Sequence, residues 1–296
     1  LNSPNNDNAF ICFSIPSSYT FTQFHYSFHH MATHPERTRK NIINNNASLI
    51  WNIAELLRGG WKQHEYQDVI LPLTLLKRLD GVLTDTKPKI LSTFNQYEGK
   101  ITDMSMILKD ITGAGFYNTS AYDFFKLLDD QRNIAANLRN FIDGFSINVQ
   151  QIFEKFEFEK QLSRMEGGNM LYLIIKEFNK INLHPDVVSN LEMGYLFEEL
   201  IRRFSEQSNE TAGEHYTPRE VIQLMVNVLF EPDAEILKKE HIIKTVYDPC
   251  CGTGGMLSVG KEHILQHINE KASVFVYGQE LNPITYAICK ADMLIK

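Results

Sequence analysis

Val246-Tyr247-Asp248-Pro249-Cys250-Cys251-Gly252-Thr253-Gly254-Gly255 is the stretch that decides how this chain is read. An apolar run from Ile242 to Tyr247 ends at the acid Asp248, and a glycine-rich turn follows. From Met256 onward, apolar residues recur at helical spacing through Leu257, Ile264, Leu265 and Ile268. Strand, glycine turn and helix form the opening of a nucleotide-type α/β unit. The glycines allow positive φ and close approach of a ligand to the backbone. A dinucleotide fingerprint needs glycine at 252, 254 and 257, but position 257 is Leu, so NAD and FAD are disfavoured. No Lys follows the glycines, which excludes a P-loop. Asp248 is placed to face a cationic group, and the ammonium of a bound amino acid moiety fits. Taken alone, the same residues also read as a tight turn with incidental glycines.

Downstream, Val274-Phe275-Val276-Tyr277-Gly278-Gln279-Glu280 reads as a second apolar strand that also ends in an acid. Glu280 lies one βαβ unit beyond Gly252. There it is placed to accept hydrogen bonds from ribose hydroxyls. Asn282 and Pro283 read as the N-cap and first position of a final helix that buries Ile284, Ala287, Ile288 and Ala291. Upstream, Glu214-His215-Tyr216-Thr217-Pro218-Arg219-Glu220 reads as a helix start. Thr217 is the expected N-cap, Pro218 the first helical residue, and Glu220 the closing member of a capping box. The helix is expected to bury Val221, Ile222, Leu224, Met225, Val228 and Leu229 on one face. The free N–H groups at its start also suit a ligand carboxylate. Together, the three motifs describe an amino acid tail, a sulfonium and a nucleoside ribose, which is S-adenosylmethionine. Cys250 and Cys251 read as packing residues under the loop, since no base or orienting group accompanies them.

The region before this is helical. Leu49, Ile50, Ile53, Leu56 and Leu57 make one stripe that Gly59-Gly60 terminate. An apolar stretch from Val69 to Leu79 contains Pro72, so a kink or a helix start is expected there. Further helical patterns cover Tyr122–Leu128, Asn133–Ile142, Val149–Phe158, Met170–Phe178 and Glu192–Ile201. Their apolar stripes read as core. Ser205 to Gly213 reads as an exposed, mobile polar loop.

Residues 1–30 stand apart, dense in aromatics and without Lys or Arg. They lack the basic start and continuous apolar core of a secretory signal. Met31 reads as the natural start and residues 1–30 as a non-native or disordered extension, unless they form an arm that docks its aromatics on a partner. The expected domains are thus 1–30 extension, 31–182 helical and 183–296 α/β.

The full 296 residues carry a net charge of −7, and the part from Ser205 onward has 8 Lys+Arg against 13 Asp+Glu. Binding DNA phosphates needs clustered cations, so any DNA grip is expected to come from elsewhere. No apolar run is long enough for a membrane span. The four cysteines form no CxxC pair and no zinc-ligand spacing, so no metal is expected and a reducing, cytoplasmic compartment is the simplest reading.

The series G-E-H-Y-T-P-R, D-P-C-C-G-T-G-G and G-Q-E-L-N-P resembles amino-adenine DNA methyltransferases, above all the modification subunit (HsdM) of prokaryotic type I restriction-modification systems. Trp51 to Gly59, Asp68 to Leu71 and Leu75 to Leu79 are similar to that family's helical N-terminal domain. The resemblance implies an α-helical N-terminal domain followed by the start of an α/β Rossmann-like, S-adenosylmethionine-dependent methyltransferase domain, incomplete here. It also implies N6-methylation of adenine in double-stranded DNA, at a site chosen by a specificity (HsdS-like) subunit, with a restriction (HsdR-like) subunit as a further partner. By motif, Tyr216, Thr217 and Pro218 line the methionine side of the cofactor, with Glu214, His215 and Arg219 around them. Asp248, Gly252, Thr253, Gly254 and Gly255 cradle the amino acid tail, and Glu280 holds the ribose. The family's Asn-Pro-Pro-aromatic motif for the flipped adenine is absent, and Asn282-Pro283-Ile284-Thr285 does not match it. The chain therefore reads as a fragment cut before its catalytic motif and inactive alone. The alternatives are a stand-alone or fused methylase, or a non-catalytic scaffold with a vestigial cofactor fold.

Overall fold

The computed structural model describes residues 9–13, 36–207 and 217–295. They divide into two compact units, one helical (39–207) and one α/β (9–13 and 217–294).

The helical unit opens with α1 (Glu36–Ala54), which tightens into a 3-10 turn over Glu55–Leu57. Gly59, at φ 89°, then turns the chain, as the paired glycines predict. Next comes α2 (Gln67–Leu83), almost wholly buried from Val69 to Leu76. Pro72 lies inside it, five residues from the helix start. After α2 come α3 (Lys87–Tyr97), α4 (Ser105–Thr112), α5 (Ile134–Asp143), α6 (Ile147–Lys155), α7 (Phe158–Gly167), α8 (Leu171–Asn179) and α9 (Asn190–Gln207), of which α7, α8 and α9 pack against α2. The expected helix at Tyr122–Leu128 is only a 3-10 turn, Lys126–Leu128. The single pattern from Val149 to Phe158 is two helices, parted at Glu157 with φ 50°.

The helical unit continues past the expected boundary at Asn182. Arg78, fully buried on α2, donates to the carbonyls of Leu183 (2.6 Å) and Val188 (2.7 Å) and to Asn190 Oδ1 (2.5 Å). Trp51 on α1 packs on Phe204 of α9 with ring centroids 5.1 Å apart. These ties hold α9 in the helical unit, so the expected loop at Ser205–Gln207 is instead its last turn, with Ser205 buried. The rest of that loop lies outside the described residues.

The α/β unit is a βαβ element with flanking helices. β2 (Ile243–Asp248) and β3 (Ser273–Glu280) pair in parallel, Ile243 opposite Ser273 and Asp248 opposite Gly278. The crossover is α12 (Gly255–His263), which ends in a π-turn over Ile264–Ile268. After β3 comes α13 (Pro283–Ile295). Before β2 lie α10 (Arg219–Phe230) and α11 (Ala234–Leu237). Cys251, Leu257, Val276, Tyr286 and Cys289 form a core cluster on one sheet face.

Two expectations fail in this unit. Residues 9–13 are not a disordered extension: Ala9–Phe13 forms β1, which pairs antiparallel with β3, Ala9 opposite Glu280. The run Ala9-Phe10-Ile11-Cys12-Phe13 is rich in strand formers, and β1 supplies the outer edge of β3 with a hydrogen-bonding partner. The other residues before 36 lie outside the described set. The second failure is α10. Only Ile222 and Val226 are buried on it, against Val259 of α12, whereas Leu224 and Val228 are 65% and 67% exposed and Val221, Met225 and Leu229 are also exposed. Apolar side chains lie almost all round this helix, and α12 covers one side of it.

Among the described residues, no helix is long and apolar enough to cross a membrane.

Candidate functional site

The candidate site is the turn that joins β2 to α12, at the carboxyl ends of the two parallel strands, where open α/β sheets take their ligands. Asp248 ends β2, and its Oδ1 accepts from Cys250 N at 3.0 Å, fixing the first bend. Cys251 N donates to the carbonyl of Gln279 (2.9 Å), and Gly254 N donates back to the carbonyl of Cys251 (2.8 Å). Gly252 and Gly254 both stand in the left-handed region, at φ 54° and 86°. L side chains avoid this region at a cost of about 1–2 kcal/mol. At Gly252 a Cβ would meet none of the described residues within 4 Å, so the backbone there is open on that side. Gly254 and Gly255 are closed instead. A Cβ on Gly254 would lie 2.6 Å from Cys289 Sγ, and one on Gly255 would lie 2.5 Å from Ile222 Cδ1. One glycine therefore leaves the turn open to a ligand, and two let α12 start in close contact with its neighbours.

Glu280 binds the turn to β3. Its Oε2 accepts from Gly252 N at 3.0 Å and its Oε1 from Asn282 N at 2.7 Å. Each carboxylate oxygen accepts two hydrogen bonds, so both retain capacity for a further donor. Asn282 caps α13 as its sequence predicts, its Oδ1 accepting from Ile284 N (2.9 Å) and Thr285 N (3.1 Å). Beside the site, the Tyr247 hydroxyl donates to Gln279 Oε1 at 3.1 Å.

The upstream motif is only partly described. Glu214, His215 and Tyr216 lie outside the described residues. Thr217 is not the N-cap: α10 begins at Arg219, Pro218 stands at the cap, and no side chain among the described residues caps it. Pro218 sits just outside the helix with ψ 136°, and its carbonyl accepts from Val221 N and Ile222 N. That extended ψ moves the helix start one residue along. Arg219 reaches α12, where its Nη2 donates to Glu262 Oε2 at 2.6 Å. This ion pair and the Ile222 contact join α10 to the glycine turn's helix.

The vicinal cysteines have opposite environments. Cys250 is exposed, which the packing expectation misses, whereas Cys251 is buried and lies under the turn as expected. Cys289 of α13 is fully buried beneath Gly254, and its Sγ is 4.0 Å from Cys251 Sγ. Contact with Cys289 holds the Cys251 thiol below its usual range. The same contact and burial push Cys289 well above it. The sequence reading passes over Cys289, and nothing in its spacing from the glycine turn marks the contact. Among the described residues, no group of three or more His, Cys, Asp or Glu is placed to hold a metal.

Comparison with known proteins matches both units. Residues 46–178 match the HsdM N-terminal domain, and residues 189–296 match the N-6 DNA methylase family. The chain is 24% identical over 299 residues to the type I restriction enzyme MpnII methylase subunit of Mycoplasma pneumoniae, covering 88% of this chain and 51% of that protein. It is 22% identical over 266 residues to the MjaIX methylase subunit of Methanocaldococcus jannaschii, covering 83% of this chain and 44% of that one. The chain thus spans about half the length of these curated relatives. A solved methyltransferase subunit of a type I restriction-modification system from Streptococcus thermophilus shares the fold, with TM-score 0.58 and 21% identity, over 86% of this chain and 56% of that one. The chain thus joins an HsdM N-terminal domain to an N-6 DNA methylase domain, and across both it is similar to the methylase subunits of type I restriction-modification systems.

Proposed function

We propose that this chain forms the cofactor-binding part of a DNA adenine N6-methyltransferase subunit that uses S-adenosylmethionine. The observation that carries the reading is the anchored Glu280 carboxylate beside the open turn at Gly252. The local chemistry fits such a ligand. Asp248 offers a negative charge to an ammonium group, Gly252 lets the ligand approach the backbone, and Glu280 keeps acceptor capacity for vicinal hydroxyls. Thr253, Gly254 and Gly255 complete the cradle at the amino acid tail. Glu214, His215, Tyr216, Thr217, Pro218 and Arg219 are assigned to the methionine side on the family resemblance alone. S-adenosylmethionine, when bound, supplies an electrophilic methyl group on its sulfonium. The residues of this chain would hold and orient it: Asp248 at the ammonium group and Glu280 at the ribose hydroxyls, with the glycine turn between them. The Asn-Pro-Pro-aromatic motif is absent from the sequence, so no residue here is assigned to the transfer step.

We further propose family boundaries at 31–182 for the helical domain and 183–296 for the methylase domain, so that α9 opens the methylase domain in sequence while packing in the helical unit. We assign DNA recognition to a specificity subunit and restriction to a third subunit. The acidic balance beyond Ser205 supports this division of labour.

The test is calorimetric titration of S-adenosylmethionine into the full chain and its Glu280→Ala variant. Binding by the parent, weakened by about 1–3 kcal/mol in the variant as for a lost charge-assisted hydrogen bond, is expected. Equal affinities would remove Glu280 from the site, and no binding by the parent would defeat the cofactor reading for this chain.

A further inference from the structure

We propose that Cys251 and Cys289 form an oxidisable dithiol, and that closing it into a disulfide pulls the glycine turn out of its ligand-ready shape. The consequence for the cofactor rests on the reading above; the thiol chemistry does not.

The geometry brings two free thiols from different elements to 4.0 Å, one on the turn and one on α13. A disulfide needs sulfurs about 2.05 Å apart, so the pair must close by about 2 Å. Both side chains lie in one packed cluster, but Cys289 sits within a helix and Cys251 on a turn. Cys251 precedes Gly252, where space is open. The turn therefore supplies whatever part of the closure side-chain rotation does not. That part draws on the 3.0 Å bond from Gly252 N to Glu280 Oε2 and the 2.9 Å bond from Cys251 N to the Gln279 carbonyl. Gly254, whose backbone rests against the Cys289 sulfur, is carried with it.

The oxidant is a peroxide, small enough to enter beside Gly252. The Cys251 thiolate attacks one peroxide oxygen and breaks the O–O bond, giving a sulfenic acid and hydroxide. The Cys289 thiol then attacks the sulfenic sulfur. The S–S bond forms, and the sulfenic oxygen leaves as water with the thiol proton. Two thiols and one hydrogen peroxide yield one disulfide and two waters. Contact with Cys289 favours the Cys251 thiolate, which makes it the attacking group. Exposed Cys250 is the competing target.

The test treats the full chain and its Cys250→Ser and Cys289→Ala variants with hydrogen peroxide, with and without later dithiothreitol. Three readouts follow: peptide mass spectrometry, amide exchange over residues 250–257, and S-adenosylmethionine affinity. A peptide joining Cys251 to Cys289 is expected in the parent and in Cys250→Ser. Faster exchange in the turn and an affinity loss of tenfold or more should accompany it, both reversed by dithiothreitol and both absent in Cys289→Ala. The idea fails if oxidation stops at Cys250 with no such peptide. It also fails if the crosslink forms and the turn exchanges as before. A reduced chain that does not bind S-adenosylmethionine counts against the cofactor reading alone, because the crosslink and the exchange still decide the dithiol.

Discussion

Replacing Gly254 by Ala, alone and together with Cys289→Ala, tests the packing under the turn. The added Cβ would lie 2.6 Å from Cys289 Sγ, 3.3 Å from Met293 Cε and 3.6 Å from Cys289 Cβ. Two costs add. The backbone stands at φ 86°, which costs an L residue about 1–2 kcal/mol. The sulfur contact is overpacking and costs about 1–3 kcal/mol. The single variant should therefore lose about 2–5 kcal/mol. Cys289→Ala by itself removes one buried atom, worth on the order of 1 kcal/mol. In the double variant the sulfur is gone, Met293 Cε can yield as the end of a flexible chain, and the 3.6 Å contact is ordinary. The overpacking cost then vanishes and the φ cost stays. The cycle should show a favourable coupling of about 1–3 kcal/mol. Urea unfolding of the full chain, read by amide exchange in β2 and β3, measures it. Additivity within about 0.5 kcal/mol would refute the claim that the Cys289 sulfur occupies the space beside Gly254.

Three further outcomes are expected. Arg78→Met strands the buried carbonyls of Leu183 and Val188, at about 1–3 kcal/mol each; a urea-midpoint change worth less than about 1 kcal/mol would show that water replaces the guanidinium. Asp68, whose Oδ1 has no hydrogen-bond partner among the described residues, is raised to about 6 by burial and then by Glu65. Its folded value exceeds its unfolded one, so the stability it contributes is full below about pH 4 and is lost as pH rises through about 6. Asp68→Asn should therefore gain up to about 3 kcal/mol at pH 7 over the parent and flatten the profile between pH 4 and 6, and parallel profiles for the two proteins would sink this account. Arg219→Met breaks the ion pair with Glu262, whose side chains are 18% and 22% exposed; a stability loss of about 1 kcal/mol that high salt reduces is expected in urea melts, and a loss unaffected by salt would deny the pair its electrostatic role.

The chemistry-bearing end of the chain was the most legible. Asp248 and Glu280 end their strands as read, because an apolar run closed by an acid and a turn signals a strand in a way that depends only on local sequence. Asn282 caps α13 for the same local reason. Where the reading failed, tertiary structure decides. On α10, apolar residues run from Val221 to Phe230 in nearly every direction, so periodicity named a face that α12 does not cover. Glu157 breaks α6 from α7 at a left-handed φ without any Gly or Pro to announce it. The Cys251–Cys289 contact exists because β3 and α13 fold back under the turn, which no spacing between the two residues reveals. The strand at Ala9–Phe13 is hidden by its surroundings, residues 1–30 without Lys or Arg, although Phe10, Ile11 and Phe13 are strand formers.

That strand also has a bearing on the order of folding. Ala9 pairs with Glu280, about 270 residues away, whereas β2 meets β3 across a single helix. Closing so long a loop costs about 5 kcal/mol of chain entropy, against about 3 kcal/mol for the roughly 30-residue loop of the βαβ element. The parallel pair should therefore form first and β1 should zip on last. On a ribosome adding about 5–20 residues per second, β1 waits tens of seconds for its partner strand to be made. During that interval a strand made long before its partner is the last to find its place.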